Sequence, residues 1–214
     1  MKPIGYKIEP GANLSGAKLK DANLSGADLR GAALRGAYMP YADLSYANLI
    51  DADLRTADLR TADLNHAILA RANLSGTDLR GADLIGADLR GADLIGARLK
   101  RATLNRANLG GVDLTDANLT RANLTDAKLS PANLSKTNLW GAILAGADLS
   151  KAGLFFANLA RADLRGADLT DADLSGVYMP GADLSGANLS GAKLKGAKLK
   201  GAIMPKGWEQ MVRE

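Results

Sequence analysis

The chain has no cysteine, two phenylalanines, two tryptophans and one histidine among 214 residues. Without cysteine there is no disulfide framework, no thiolate metal site and no cysteine nucleophile, which fits a reducing compartment. Aromatics make up 4% of a chain that is 47% hydrophobic. Alanine and leucine fill the apolar quota, so the interior must be narrow. Long apolar runs are missing too. Residues 1–10 carry Lys2, Lys7 and Glu9 and no secretory-type hydrophobic stretch, and no segment approaches the roughly 20 apolar residues that span a bilayer. The expectation is a soluble, cytoplasmic protein with no membrane span. There is also no Gly-rich phosphate loop after a strand, no Ser-His-Asp set and no lid over a pocket. His66 stands alone. We therefore expect no enzyme activity, no catalytic residue, no cofactor and no metal site.

What the chain does have is a period of five. Every fifth residue from Leu14 to Leu199 is leucine except Met39 and Met179, and Met204 closes the series of 39 centres. A helix turns about 100° per residue, so a five-residue repeat would scatter the leucines around all its sides. In a continuous strand an odd period would send Leu14 and Leu19 to opposite faces. The remaining solution is a short extended piece followed by a corner, repeated so that each corner resets the phase. In Ala82-Asp83-Leu84 the Ala and Leu then share the inner face and Asp83 points out. Ile85-Gly86 makes the bend, where glycine suits a tight turn. An Asp or Asn before the leucine can bond the turn backbone, a structural reason for most carboxylates here. Leu79, Leu84, Leu89 and Leu94 are representative core residues.

These residues resemble the pentapeptide-repeat family, whose motif is Ala-(Asp/Asn)-Leu-x-x. The match runs from about Ala12 to Pro205, and the alanine departs from it only at Thr77, Val112, Thr137 and Val177. The resemblance implies an all-β fold: a right-handed quadrilateral β-helix, a solenoid with four pentapeptide repeats per coil and just under ten coils. Spacing alone leaves three or four sides open. One internal hint favours four: Tyr38-Met39-Pro40 recurs as Tyr178-Met179-Pro180, an interval that is a whole number of four-repeat coils and not of three-repeat coils. At roughly 4.8 Å per coil the rod would be about 45 to 50 Å long.

One domain, residues 1–214, is expected, with 1–11 as an N-terminal cap, 12–205 as repeats and 206–214 as a short C-terminal cap. Before the repeats only Ile4 is in register, since Glu9 stands at the next centre and Lys7 where alanine should be. After Pro205, the apolar Trp208, Met211 and Val212 suggest a short helix or turn laid over the last coil. The other reading of that segment is a dimer contact, so the expected states are a monomer or, as the resemblance allows, an end-to-end homodimer.

With four repeats per coil the outward positions sort into four sides. The side that starts at Leu19 carries eleven Lys and Arg against three Asp, a net of +8, out of a chain total of +4. The sides that start at Leu14, Leu24 and Leu29 net 0, −3 and −1. The Leu19 side also holds both Tyr-Met-Pro triplets, Trp140 at an outward position, and Thr77, Thr137 and Val177. A proline after the centre is expected to remove a ladder donor, making those two corners differ from the rest. Candidate interaction residues are Lys18, Lys20, Tyr38, Arg60, Arg80, Arg98, Lys100, Arg121, Trp140, Arg161 and Tyr178. Phe155-Phe156, at the neighbouring corner, forms a second apolar spot with Trp140. Asp43, Asp63 and Asp83 should stack in one column, but at a cost near ~1 kcal/mol per exposed pair no metal is required.

The function that follows is a non-enzymatic rigid scaffold that binds another protein through its basic side. Nucleic acid is the alternative partner. Family members of the quinolone-resistance type resemble DNA in size and acidity and bind type II topoisomerases, but a basic side argues against that mimicry. Direct electrostatic binding of nucleic acid would suit the charge, although aromatic platforms are few. Reversing Arg80, Lys100 and Arg121 to Glu is the corresponding test.

Overall fold

The computed structural model describes residues 5–212. The register match at Ile4, and Arg213 and Glu214 of the C-terminal segment, lie outside the described residues. From Asn13↔Ala33 to Asp183↔Ile203, each outward residue forms a parallel bridge with the residue 20 positions on. The chain therefore completes one circuit every four repeats, with four corners per circuit. Each bridge is isolated, and among the described residues no strand of two or more paired residues occurs. The reason is length: between corners the extended piece is only Ala-x-Leu long, and only its middle residue pairs on both sides.

The backbone donors of a repeat follow a fixed pattern. In Ala32-Ala33-Leu34-Arg35-Gly36, Leu34 N–H donates to Asp53 C=O in the next coil at 2.7 Å, and Asp53 N–H returns a bond to Ala32 C=O at 2.9 Å. Gly36 N–H donates to Arg55 C=O at 2.9 Å, and Ala37 N–H closes the turn onto Leu34 C=O at 3.0 Å. The remaining donor belongs to the first corner residue. Where an Asp or Asn stands two positions before, its side chain takes that donor, as in Ser45 N–H to Asp43 Oδ1 at 3.0 Å and Thr120 N–H to Asn118 Oδ1 at 3.0 Å. This Asx bond is why Asp and Asn dominate the outward position, since each buried amide must find an acceptor.

From Gly16 to Gly201 the second corner residue has positive φ at every repeat except Pro131, as Gly81 (φ 68) and Arg101 (φ 60) show. With positive φ at the second corner residue alone, these are type II turns. Pro131 cannot reach that region, and its corner contains a cis Ser130–Pro131 peptide. Side chains at second corners lean toward the next coil, where glycine often makes room. A β-carbon at Gly176 would lie 2.5 Å from Phe156 Cε1, and one at Gly86 would lie 2.7 Å from His66 Nδ1.

Leucines and alanines fill the axis. Leu79, Leu84, Leu89 and Leu94 are fully buried, and each buried leucine contributes about 1.5–3 kcal/mol before ordering entropy is subtracted. Thr77 and Thr137, which replace alanine, are also fully buried, and their hydroxyls donate to Leu54 C=O and Leu114 C=O, both at 2.8 Å.

The segments flanking the repeats contact the adjoining coils. On the N-terminal side Lys18 N–H donates to the Tyr6 hydroxyl at 3.1 Å. Ile8 packs on the core, and Ala12 N–H already closes a turn onto Glu9 C=O. At the other end a 3-10 turn spans Trp208–Gln210. Trp208, Met211 and Val212 pack on the core there, and Met211 C=O accepts from Gly191 N–H at 2.7 Å.

Candidate interaction surface

The bridges place Lys18, Tyr38, Asp58, Asp78, Arg98, Asn118, Asn138, Asn158, Tyr178 and Lys198 in one column. Their first corner residues run beside it: Lys20, Pro40, Arg60, Arg80, Lys100, Thr120, Trp140, Ala160, Pro180 and Lys200. The second corner residues include Arg101, Arg121 and Arg161. All eleven candidates read from the sequence therefore share one side of the rod.

Two concavities open on this side. One, of about 410 Å³, is lined by Lys20, Tyr38, Pro40, Tyr41, Arg60, Thr61 and Arg80. The other, of about 560 Å³, is lined by Trp140, Ala160, Arg161, Tyr178, Pro180 and Gly181. Each is centred on a Tyr-Met-Pro triplet. The hollows form because proline and alanine at the first corner leave the column low between the larger side chains above and below.

The expectation that proline costs a ladder donor is overturned. Met39 N–H still donates to Asp58 C=O at 2.8 Å and Tyr41 N–H to Arg60 C=O at 3.1 Å. The first corner amide belongs neither to the ladder nor to the turn bond, so a proline there forgoes only an Asx bond. In both triplets a tyrosine stands where the Asx acceptor would be. Trp140, at its outward position, is half-buried, with the Arg121 guanidinium 4.9 Å from its ring centroid. Stacking on the preceding coil accounts for the burial. Phe155 and Phe156 are exposed, with ring centroids 4.2 Å apart, and they do not line either concavity.

The charge is distributed unevenly along the side. Arg60 Nε and Nη2 donate to Asp58 at 2.8 and 2.7 Å, and Arg80 does the same to Asp78 at 2.8 and 2.6 Å. Arg98 lies 3.6 Å from the same Asp78 carboxylate. Asp78 is 6% exposed. Burial pushes its pKa up, but the Arg80 fork and Arg98 outweigh that and hold it below the ordinary value of 3.8; the Arg60 fork lowers Asp58 likewise. Such forks have a signal in the sequence that the reading by period did not use. The tripeptide Asp-Leu-Arg occurs at residues 28, 53, 58, 78, 88 and 163, and each time the arginine grips its own carboxylate bidentately. Lys100, Arg101 and Arg161, by contrast, have no carboxylate partner among the described residues.

Asp43, Asp63 and Asp83 do stand in one column, each accepting a local corner bond. Among the described residues no group of three or more His, Asp or Glu is arranged to hold a metal ion, and no helix is long and apolar enough to cross a membrane.

The sequence model of pentapeptide repeats matches residues 11–40, 22–60, 57–96, 92–130, 132–171 and 167–204. The chain belongs to the pentapeptide-repeat family. Among solved structures, this pentapeptide-repeat protein is similar to HetL of the cyanobacterium Nostoc sp. strain PCC 7120, described as involved in heterocyst differentiation regulation. The two are 39% identical over 94% of this chain and 87% of HetL, with a TM-score of 0.73. QnrB1, a plasmid-mediated fluoroquinolone resistance protein, is 19% identical over 95% of this chain and 92% of its own, with a TM-score of 0.47. Rfr23 of the cyanobacterium Cyanothece 51142 is 38% identical over 50% of this chain and 61% of its own, with a TM-score of 0.27. No curated protein matches the chain at a significant level.

Proposed function

We propose that this pentapeptide-repeat protein is a non-enzymatic, rigid scaffold that binds a partner protein through the Leu19 side. On this reading residues 1–214 form one domain acting in the cytoplasm, its repeats 12–205 wound right-handed through just under ten coils, with 1–11 and 206–214 as caps. The observation that carries it is the coincidence on one side of a net +8 charge and both concavities, while the other sides are neutral or acidic. Aromatic residues and arginine together are what protein interfaces enrich. HetL, described as involved in heterocyst differentiation regulation, is consistent with a binding role.

The test reverses charge without touching the fold. Arg80 is unsuitable because Glu there would face the buried Asp78 carboxylate. Lys100→Glu, Arg101→Glu and Arg161→Glu change cations without carboxylate partners, so the triple variant is expected to keep its thermal transition and to lose its partner in affinity capture from the source cell. Capture that survives nuclease and is retained by the triple variant rejects this side. Capture lost to nuclease would favour nucleic acid.

A further inference from the structure

The two concavities are built from the same triplet and lie on one side of the rod. The first runs from Lys20, one coil before Tyr38 and Pro40, up to Arg80, two coils after them; the second runs from Tyr178 and Pro180 down to Trp140, two coils earlier. Only three coils separate Arg80 from Trp140, and that interval is filled by Arg98, Lys100, Arg101, Asn118 and Arg121. Of these, Lys100 and Arg101 have no carboxylate partner, and the side-chain amide nitrogens of Asn118 and, beside Trp140, of Asn138 have no acceptor among the described residues. The result is a single track: a hollow walled by tyrosine and proline at each end, the first also rimmed by Lys20, Arg60, Thr61 and Arg80, with cations and amide donors between.

The geometry points to one extended acidic peptide segment as the occupant of this track, lying along the rod with an apolar anchor in each hollow. This rests on the scaffold reading above and names the chemistry of its partner. The length follows from the register. Tyr38 and Tyr178 are seven coils apart, about 34 Å at roughly 4.8 Å per coil, which about ten residues cover in an extended conformation at roughly 3.3 Å each. Aromatic-proline hollows suit proline or aromatic anchors, and extended peptides present carbonyls that amide donors can meet. Glu or Asp at the centre of the segment would face Lys100 and Arg101. A nucleic acid fits less well, because Asp58 and Asp78 stand in the outward column beside the first hollow and would repel phosphates, and because Arg60 and Arg80 are already engaged by those carboxylates.

The experiment uses the full-length protein to select from a library of random 16-residue peptides displayed on phage. One selected peptide is then titrated by fluorescence anisotropy, with a 20-nucleotide single-stranded DNA as comparator. Selected peptides are expected to carry two apolar residues about ten positions apart with two or more Glu or Asp between them. Tyr38→Ala and Tyr178→Ala, both at exposed side chains, should each weaken binding at least tenfold, as should shortening the peptide by one extended turn's length between the anchors. Tighter binding of the DNA, enrichment of peptides without this pattern, no enrichment, or binding unaffected by Tyr178→Ala overturns the inference. If the Lys100, Arg101 and Arg161 triple variant loses its cellular partner while the peptide pattern fails, the scaffold reading stands and only the two-anchor occupant falls. If the triple variant keeps its partner, the side itself is wrong.

Discussion

Around Tyr38-Met39-Pro40 the neighbouring arginines, Arg60 and Arg80, are each gripped by a carboxylate of their own repeat, whereas beside Tyr178-Met179-Pro180 the repeat of Arg161 has Asn158 and Ala160 where Asp58 and Arg60 stand, and Arg161, at the second corner, has no carboxylate partner among the described residues. The backbone of the two corners is the same: Tyr41 has φ 59 and Gly181 φ 65, and the ladder bonds are intact on both. A β-helix thus separates shape from chemistry. The centre and its alanine hold the corner, and side chains one and two coils away decide whether a hollow is rimmed by neutralised or available charge.

The sharpest way to break that comparison is Asp78→Ala. It removes a buried carboxylate that engages Arg80 and Arg98, and a loss of about 1–3 kcal/mol is expected in urea denaturation. The counterpart at the second site, Asn158→Ala, removes the corner bond to Ala160 N–H and should cost about 0.5–1 kcal/mol. Equal costs would show that the forks add nothing beyond the Asx bond.

Acid should separate the regions next. Asp28, Asp53, Asp58, Asp78, Asp88 and Asp163 are all held below the ordinary 3.8, each by its arginine fork, working against burial at Asp78. A carboxylate with a lowered folded pKa adds stability that is fully present above its unfolded value and is lost as pH falls through the folded one. The melting temperature is therefore expected to stay level from about pH 8 to 5 and to fall below about pH 4. A decline that sets in near neutrality would show that these forks are not what titrates.

The smallest expected effect is also informative in sign. Replacing Pro40 or Pro180 by Ala leaves every ladder bond in place and loosens the unfolded chain, so each should destabilise by about 0.5–1 kcal/mol. If proline instead interrupted the ladder, alanine would stabilise. Differential scanning calorimetry of the two variants decides it.

Much of this was legible without coordinates. The five-residue period separates inward from outward positions, and the recurrence of Tyr38-Met39-Pro40 as Tyr178-Met179-Pro180 points to a coil of four repeats. The local corner role of Asp83 and its equivalents was legible too. The place of proline was not, because the five N–H groups of a repeat look alike until the ladder shows that the first corner amide stands outside it. The half-burial of Trp140 depends on Arg121 in the preceding coil. Gly86 and Gly176 likewise answer to His66 and Phe156, each one coil earlier, and the reading by period assigned these glycines only to turn flexibility.

The amino-acid order alone determined which face of each short segment meets the axis, because alternation within a short extended piece and a phase reset at each corner are local properties of the backbone. The tertiary structure decided which outward charges are neutralised and where the surface is hollow. Those depend on neighbours one coil away, brought within about 4.8 Å by the ladder, and on how far each side chain reaches across that gap.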